Sequence, residues 1–247
     1  MTLPGTPSDD VDGVLAAGSG EVGTLFVSMA RRHPEGRDAE YLRWHTLDHR
    51  PEQHRLAGVR ASLRLVSTPA CRAARAHSDE RFDAIDHVMT YFFTDQSGLT
   101  PFLELSSALG GADRKLPLLP PVQRGVYAIT QKVAAPRIKV GADVLPWWPA
   151  HGVYLLLESG TMPPDSLVDV EGVGGIWSVA SQDVDARLAS ARAGQLLTYC
   201  FLDDDPVATA ERLRPVLAAR WERGDVEPLL AAPFYPVVPY KWDRYVP

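Results

Sequence analysis

Apolar and polar positions alternate in short blocks along the chain, and these blocks predict strands and helices. In residues 59–65 apolar positions alternate with polar ones such as Arg60 and Arg64, the period-two pattern of a strand with one apolar face. A helical period over 39–54 and a block with an early proline at 100–109 predict two helices. Further strand-length apolar blocks lie at 24–30, 87–94 and 125–133. The predicted order is β-α-β-β-α-β, that of a ferredoxin-like unit.

The same order of blocks returns in the second half of the chain. Met89–Asp95 aligns with Leu197–Asp203, which matches Tyr91 with Tyr199. Where the first half has its long first helix, the second has only the short segment 162–170. Two one-layer units can bury their open sheet faces by packing together. The sequence therefore predicts an α+β fold of two ferredoxin-like units in tandem forming an intrachain α/β barrel, the second unit having a shortened first helix.

Five segments follow from this pattern. Residues 1–22, rich in Gly, Ser, Pro and Asp, are predicted to be a flexible N-terminal arm. The two units span 23–133 and 152–223, and a connector rich in Pro and Trp, 134–151, joins them. The tail, 224–247, is rich in prolines and aromatic residues. We expect its prolines to exclude regular structure and its aromatic rings to hold it against the domain.

Charge and cysteine content exclude several classes of function. The 25 basic and 31 acidic residues give a net charge of −6, which disfavours nucleic acid or an anionic membrane as a partner. Two cysteines, Cys71 and Cys200, are too few for a disulfide scaffold or a cysteine-rich metal site. The apolar runs are too short to span a membrane, and the first residues lack the pattern of a signal peptide. A cytoplasmic protein is the expectation.

A motif on the first predicted helix resembles one found in a known superfamily. Trp44 is followed by His49 and Pro51, and then by Leu56-Ala57-Gly58-Val59 leading into the second strand. This stretch resembles the dimeric α/β-barrel superfamily, especially its EthD-like branch. That superfamily includes cofactor-free monooxygenases, lactone isomerases, polyketide cyclases, haem-dependent enzymes and proteins without a known reaction.

The resemblance implies a small-molecule enzyme. Most members pair one unit with a second chain, whereas this chain carries both units; a homodimer of such chains is a further expectation. The leading hypothesis is cofactor-free acid–base chemistry by a cyclase, isomerase, lyase or monooxygenase, on an apolar aromatic or polyketide-like ligand inside the barrel. Two alternatives stay open: a non-catalytic ligand-binding or assembly protein, and a haem-dependent enzyme. For the haem alternative the candidate ligands are His87 and His151.

Three residues are candidates for catalysis. The imidazole of His49 can transfer a proton near neutral pH. Arg64 offers a planar fork of donors for a carboxylate or enolate, and the phenol of Tyr91 can donate a hydrogen bond to an oxyanion. Each also has a purely structural interpretation: a histidine packed under Pro51, an arginine in solvent, and a core tyrosine.

Four more residues are candidates for ligand binding: Trp44, His45, Arg60 and Tyr199. Trp44 belongs to the motif, and His45 lies one helical turn before His49. Arg60 shares a strand face with Arg64, and Tyr199 is the counterpart of Tyr91 in the alignment. Histidines four residues apart can chelate a metal, but no third ligand lies nearby in the sequence, so no metal site is predicted.

Overall fold

The computed structural model describes residues 21–185 and 188–245, and its first half follows the predicted order. The first helical stretch consists of α1 (Asp38–Trp44), a π-helical turn (His45–His49) and α2 (Arg50–Gln53). The remaining helices of this half are α3 (Pro69–Ala73) and α4 (Leu99–Gly111). Its strands are β1 (Thr24–Ala30), β2 (Val59–Val66), β3 (His77–Ser78), β4 (His87–Phe93) and β5 (Pro121–Ala134).

The second half repeats this order with a reduced first helix. A 3₁₀ turn, Asp165–Asp169, stands where the first half has its long helical stretch. Helix α5 (Pro206–Glu222) is capped by Asp205, whose carboxylate accepts hydrogen bonds from the backbone N–H groups of Val207 and Ala208 at 3.0 Å each. The strands are β6 (Gly152–Ser159), β7 (Val173–Ser181), β8 (Gln195–Leu202) and β9 (Glu227–Pro236). The predicted shortening of this helix is confirmed.

Eight antiparallel strands close into a barrel, in the order β2-β4-β1-β5-β7-β8-β6-β9. The ring is completed where β9 returns to β2, with Leu65 opposite Pro236 and Val66 opposite Tyr235. The short β3 pairs with Leu230 and Ala231 on the same edge of β9. The predicted α+β class and intrachain barrel are therefore confirmed. Over the described ranges, no helix is long and apolar enough to cross a membrane.

Large side chains from both halves fill the barrel interior. Phe92 lies 5.8 Å from Trp177 between ring centroids, and Tyr199 stacks on Phe201 at 6.3 Å. All four rings are buried. The centre of the barrel is thus a packed core, as in other small barrels, and the expected ligand space inside it is already occupied by side chains.

The expectation of an irregular proline-rich tail is wrong for its first part, because 227–236 form β9. On one side β9 pairs with β6, and on the other it pairs with β3 and β2 only at 230–231 and 235–236. Pro233 falls between these two short ladders, where that edge of the strand has no paired residue, so its missing N–H costs no ladder hydrogen bond. Farther on, Trp242 packs near Leu42 and Val66.

The predicted N-terminal arm and the connector are the remaining segments outside the two units. Most of the predicted arm, residues 1–20, lies outside the described residues, and Val22 at its end is buried. The connector packs against the barrel. Leu145 is fully buried, and Trp177 donates its indole N–H to the carbonyl of Ala142 at 2.7 Å.

Candidate functional site

The first helical stretch covers the outer face of the strands of the first half, and it changes from an α-helix to a π-helical turn before Pro51. In a regular α-helix the proline ring would clash with the carbonyl of Leu47, and the proline has no N–H to donate. The wider π-helical turn His45–His49 directly precedes this point. His45 and His49 lie on this turn, are buried, and have ring centroids 5.6 Å apart.

A cavity of about 250 Å³ lies between this helical cover, α4 and the sheet. Its helical side brings His45 and His49 next to the side chains of α4, such as Phe102. Its strand side brings Arg64 of β2 together with Tyr91 of β4. The remaining lining residues are Phe26, Ser28, Tyr41, Met89, Leu103, Ser106, Ser107, Lys115, Leu118 and Arg124.

One cross-strand row forms part of the cavity floor. Arg64 is opposite Met89, Met89 is opposite Ser28, and Ser28 is opposite Arg124. All four residues line the cavity. Three strand spacings separate the ends of the row, so the Cα atoms of Arg64 and Arg124 are about 14 Å apart.

His49 is packed in a way that keeps it neutral. Its ring stacks on Trp44 at 4.9 Å, and its Nε2 lies 3.4 Å from Nε2 of the Gln53 amide. Burial, with a contribution from the charge of Lys115, lowers the pKa of His49 to about 4. Its imidazole is therefore unprotonated at neutral pH.

His45 lies deeper in the same cavity. Its Nε2 is 3.5 Å from the hydroxyl oxygen of Tyr91. Burial, and next the charge of Arg64, hold the pKa of His45 well below its usual value. Burial raises the pKa of Tyr91, so its hydroxyl keeps its proton and can act as a donor.

Arg64 is a buried cation that forms no ion pair with a carboxylate of the described residues. Its residue is 5% exposed, and its guanidinium carbon lies 5.2 Å from the centre of the Tyr41 ring. Neither Nε nor Nη2 has a hydrogen-bond partner in the described part of the chain. Burial lowers the pKa of Arg64, as expected for a charge removed from water. The strand position that we predicted from the alternation is thus at the cavity, and the solvated-edge alternative is wrong.

A buried hydrogen bond between a histidine and an aspartate, which the sequence analysis missed, lies near Arg64. His87 Nε2 is 2.7 Å from Oδ1 of Asp38, which also accepts the backbone N–H of His33 at 2.8 Å. Burial favours the neutral form of Asp38, but the bonds from His87 and His33 outweigh it and lower the pKa of this carboxyl. Burial lowers the pKa of His87.

Three of the predicted ligand-binding residues lie away from the cavity. Arg60 donates through Nε to Thr94 Oγ1 at 2.9 Å, at the start of β2. Tyr199 is in the barrel interior, where its hydroxyl lies 2.7 Å from Thr90 Oγ1. Trp44 does not line the cavity; its ring stacks on that of His49, and its indole N–H donates to the carbonyl of Arg114 at 3.1 Å.

The misplacement of Tyr199 comes from an alignment that is wrong by one residue. β1 pairs Leu25 with Phe92, and β6 pairs Val153 with Phe201, so Phe92 and Phe201 are the equivalent inward positions. A shift of one residue exchanges the two faces of a strand. Tyr91 therefore faces the helices, whereas Tyr199 faces the barrel centre.

Several lining residues had no signal in the sequence. Lys115 follows α4 in a loop, and Arg124 lies near the start of β5, far from the motif around His49. Tyr41 lies beside the predicted histidine stripe and could have been found from the helical period. No group of three or more metal-ligating side chains occurs among residues 21–185 and 188–245.

Comparison with known proteins supports the fold. The sequence matches no protein-family profile and no curated protein. The structure is similar to an anthrone oxidase-like protein, with a TM-score of 0.53, 12% identity, and coverage of 88% of this chain and 92% of that one. It is also similar to a protein described as a chlorite dismutase, with a TM-score of 0.51, 11% identity, and coverage of 88% and 96%. At this level of identity the likeness concerns the fold, and this chain shares its α+β barrel fold with both proteins.

Proposed function

We propose that this chain is a small-molecule enzyme that carries out cofactor-free acid–base chemistry in the cavity under α1 and α4. One observation carries the proposal. A single cavity collects His49, Arg64 and Tyr91 from a helical turn and two strands. Perturbed titratable groups converging on one cavity are a common property of active sites.

The proposed step is removal of a proton from a carbon next to a carbonyl group. The neutral imidazole of His49 takes the proton, the electron pair of the C–H bond forms a C=C bond, and the π pair of the carbonyl group moves to its oxygen. Arg64 and the Tyr91 hydroxyl stabilise the resulting oxyanion. Return of the proton to another atom gives an isomerised product, and attack by the enolate carbon on a second carbonyl gives a cyclised one. His45, next to the Tyr91 hydroxyl, would orient that donor.

The haem alternative fits the residues poorly. His87 already shares its Nε2 with Asp38 at 2.7 Å and does not line the cavity. His151 is exposed and lies outside the cavity. The cavity volume of about 250 Å³ also leaves little room for a four-ring macrocycle. An absorption spectrum of purified protein with added haemin tests this, because specific binding would produce a shifted Soret band.

The experiment that tests the proposed chemistry is hydrogen–deuterium exchange. Enolisable aromatic ketones are incubated with the protein in D₂O, and loss of the proton next to the carbonyl is followed by NMR. We expect exchange above the buffer rate, and a decrease of about 10²-fold or more in His49→Gln, the contribution typical of a general base.

The matched control is His54→Gln. His54 lies five residues later, is exposed, and is 2.7 Å from Ser62 Oγ through its Nε2. It should leave exchange unchanged. Equal exchange rates in wild type and His49→Gln would contradict the proposed role of His49. Ligand binding without exchange for any ketone would support the non-catalytic alternative instead.

We also propose a family relation, an evolutionary origin, an oligomeric state and a location for this protein. The motif around Trp44, His49 and Pro51 supports a relation to the EthD-like branch. The matching order of strands in the two halves supports an origin by tandem duplication. Association into a homodimer and a cytoplasmic location stay predictions.

A further inference from the structure

We infer that the ligand of this cavity carries a carboxylate, and that Lys115 and Arg124 bind this group at the end of the cavity opposite Arg64. The inference deepens the proposed function, on which it rests for the reacting end of the ligand. It names a substrate class, aromatic carboxylates with a carbonyl or hydroxyl oxygen on the far side of the ring.

The charge of the cavity differs from that of the chain. The whole sequence has a net charge of −6. In contrast, the described lining of the cavity contains three basic side chains, Arg64, Lys115 and Arg124, and no Asp or Glu. A concave site of one sign concentrates ligands of the opposite sign, so the basic lining of this cavity favours an anionic ligand.

The cations at the Lys115 end are not neutralised by the protein. Lys115 Nζ donates to Ser106 Oγ at 2.8 Å, and neither Lys115 nor Arg124 forms an ion pair with a carboxylate in the described part of the chain. Burial, and then the nearby charge of Arg124, lower the pKa of Lys115. A bound carboxylate would relieve this repulsion between like charges.

The register of the sheet fixes the distance between the two charged ends. Arg64 and Arg124 begin and end the row that runs through Met89 and Ser28. Their Cα atoms are about 14 Å apart, and both residues line the cavity. This leaves space for one ring or two fused rings, with a polar group at each end.

Aromatic side chains provide the surface for such a ring. Phe102 makes edge contacts with Phe26 at 5.8 Å and with Tyr91 at 4.7 Å between centroids. All three rings line the cavity. They would flank a flat ligand, whose oxygen at the inner end would meet Arg64 and Tyr91.

The test compares aromatic acids with their carboxamides, which have the same shape without the charge. Benzoate, naphthoate and hydroxynaphthoate are each paired with the carboxamide, and affinities are measured by calorimetry and thermal shift at low and high salt. We expect the best acid to bind at least about tenfold more tightly than its carboxamide, as for charged hydrogen bonds. High salt should reduce this preference.

Variants locate the binding group. The double variant Lys115→Gln/Arg124→Gln should bring acid and carboxamide to nearly equal affinity, and Arg124→Lys should keep part of the preference. Arg43→Gln removes one charge from the exposed face of α1 and should change nothing. If no acid in the panel exceeds its carboxamide, or if the double variant keeps the full preference, the inference is wrong.

The design separates this inference from the proposed chemistry. His49→Gln should keep the preference for acids while losing deuterium exchange. An acid preference that depends on Lys115 and Arg124, without exchange of any ketone, would support the carboxylate site and contradict the enzyme. Deuterium exchange without a preference for acids would support the enzyme and contradict the carboxylate site.

Discussion

The helices of the two halves cover the outer face of the barrel in different ways. In the first half, α1 and α4 enclose a cavity with buried polar groups such as His45 and Arg64. In the second half, α5 packs directly on the strands through an apolar cluster that includes Leu156, Cys200 and Leu213. The same strand order thus supports two uses: the second half closes its layer with apolar contacts, and the first leaves room for a ligand.

Two buried arginines show the difference most clearly. Arg220 on α5 is 5% exposed and holds Glu158 through two bonds of 2.9 Å, while Trp221 donates to the same carboxylate at 2.9 Å. Arg64 is equally buried and has no such partner among residues 21–185 and 188–245. Uncompensated buried charge is costly, and natural proteins keep it where function requires it.

The largest expected effect comes from exchanging each arginine for methionine. Arg220→Met leaves Glu158 buried and unpaired, and should lower the free energy of unfolding by about 3–5 kcal/mol. Arg64→Met leaves no orphaned carboxylate, so stability should stay the same or rise. Urea denaturation of both variants measures the contrast. A loss for Arg64→Met as large as for Arg220→Met would show that Arg64 is a structural residue.

A second effect concerns acid and the histidines of the cavity. The pKa of His49 falls from 6.5 to about 4 on folding, so between these values the unfolded chain binds a proton that the folded chain does not. Stability is therefore lost as pH falls through this window, by up to about 3 kcal/mol from His49. His45 and His87 shift in the same direction and add to the loss.

Urea denaturation at pH 7 and pH 4.5 measures this dependence. His49→Gln should lose less stability on acidification than the wild type, whereas the exposed His151→Gln should behave like the wild type. An unchanged pH dependence in His49→Gln would mean that its imidazole is not held neutral by the fold.

The smallest effect separates the two tyrosines that the sequence alignment matched. Tyr199→Phe leaves Thr90 without its 2.7 Å partner in the packed barrel centre and should cost about 1–3 kcal/mol. Tyr91→Phe removes only a 3.5 Å contact with His45, so its main effect should be on exchange in the cavity. Melting temperatures and exchange rates of the two variants, measured together, test this division. A loss of exchange in Tyr199→Phe would contradict it.

Local pattern predicted most of the fold. The alternation around Arg60 and Arg64 marks a real strand, and the short segment 162–170 correctly indicated a missing helix. The pattern failed at β9, because prolines argue against a strand unless the pairing on each edge is known. Pro233 is acceptable only because one edge is unpaired at that point, which is a tertiary fact.

The candidate site was only partly predictable for a similar reason. His49 and Arg64 could be proposed from the motif and the alternation, and both line the cavity. Arg124 could not, because its place opposite Ser28 depends on strand register, and an error of one residue already misplaced Tyr199. Register is set by contacts between distant parts of the chain, which a single sequence does not reveal.

The closure of the barrel by β9 has a consequence for how the protein is made. Strand β2 meets its second neighbour only at Tyr235 and Pro236, which leave the ribosome long after β2 itself. Until then the nascent chain carries an open sheet edge, a template for pairing with other chains. The arrival of β9 during synthesis therefore covers the edge of β2 against such pairing.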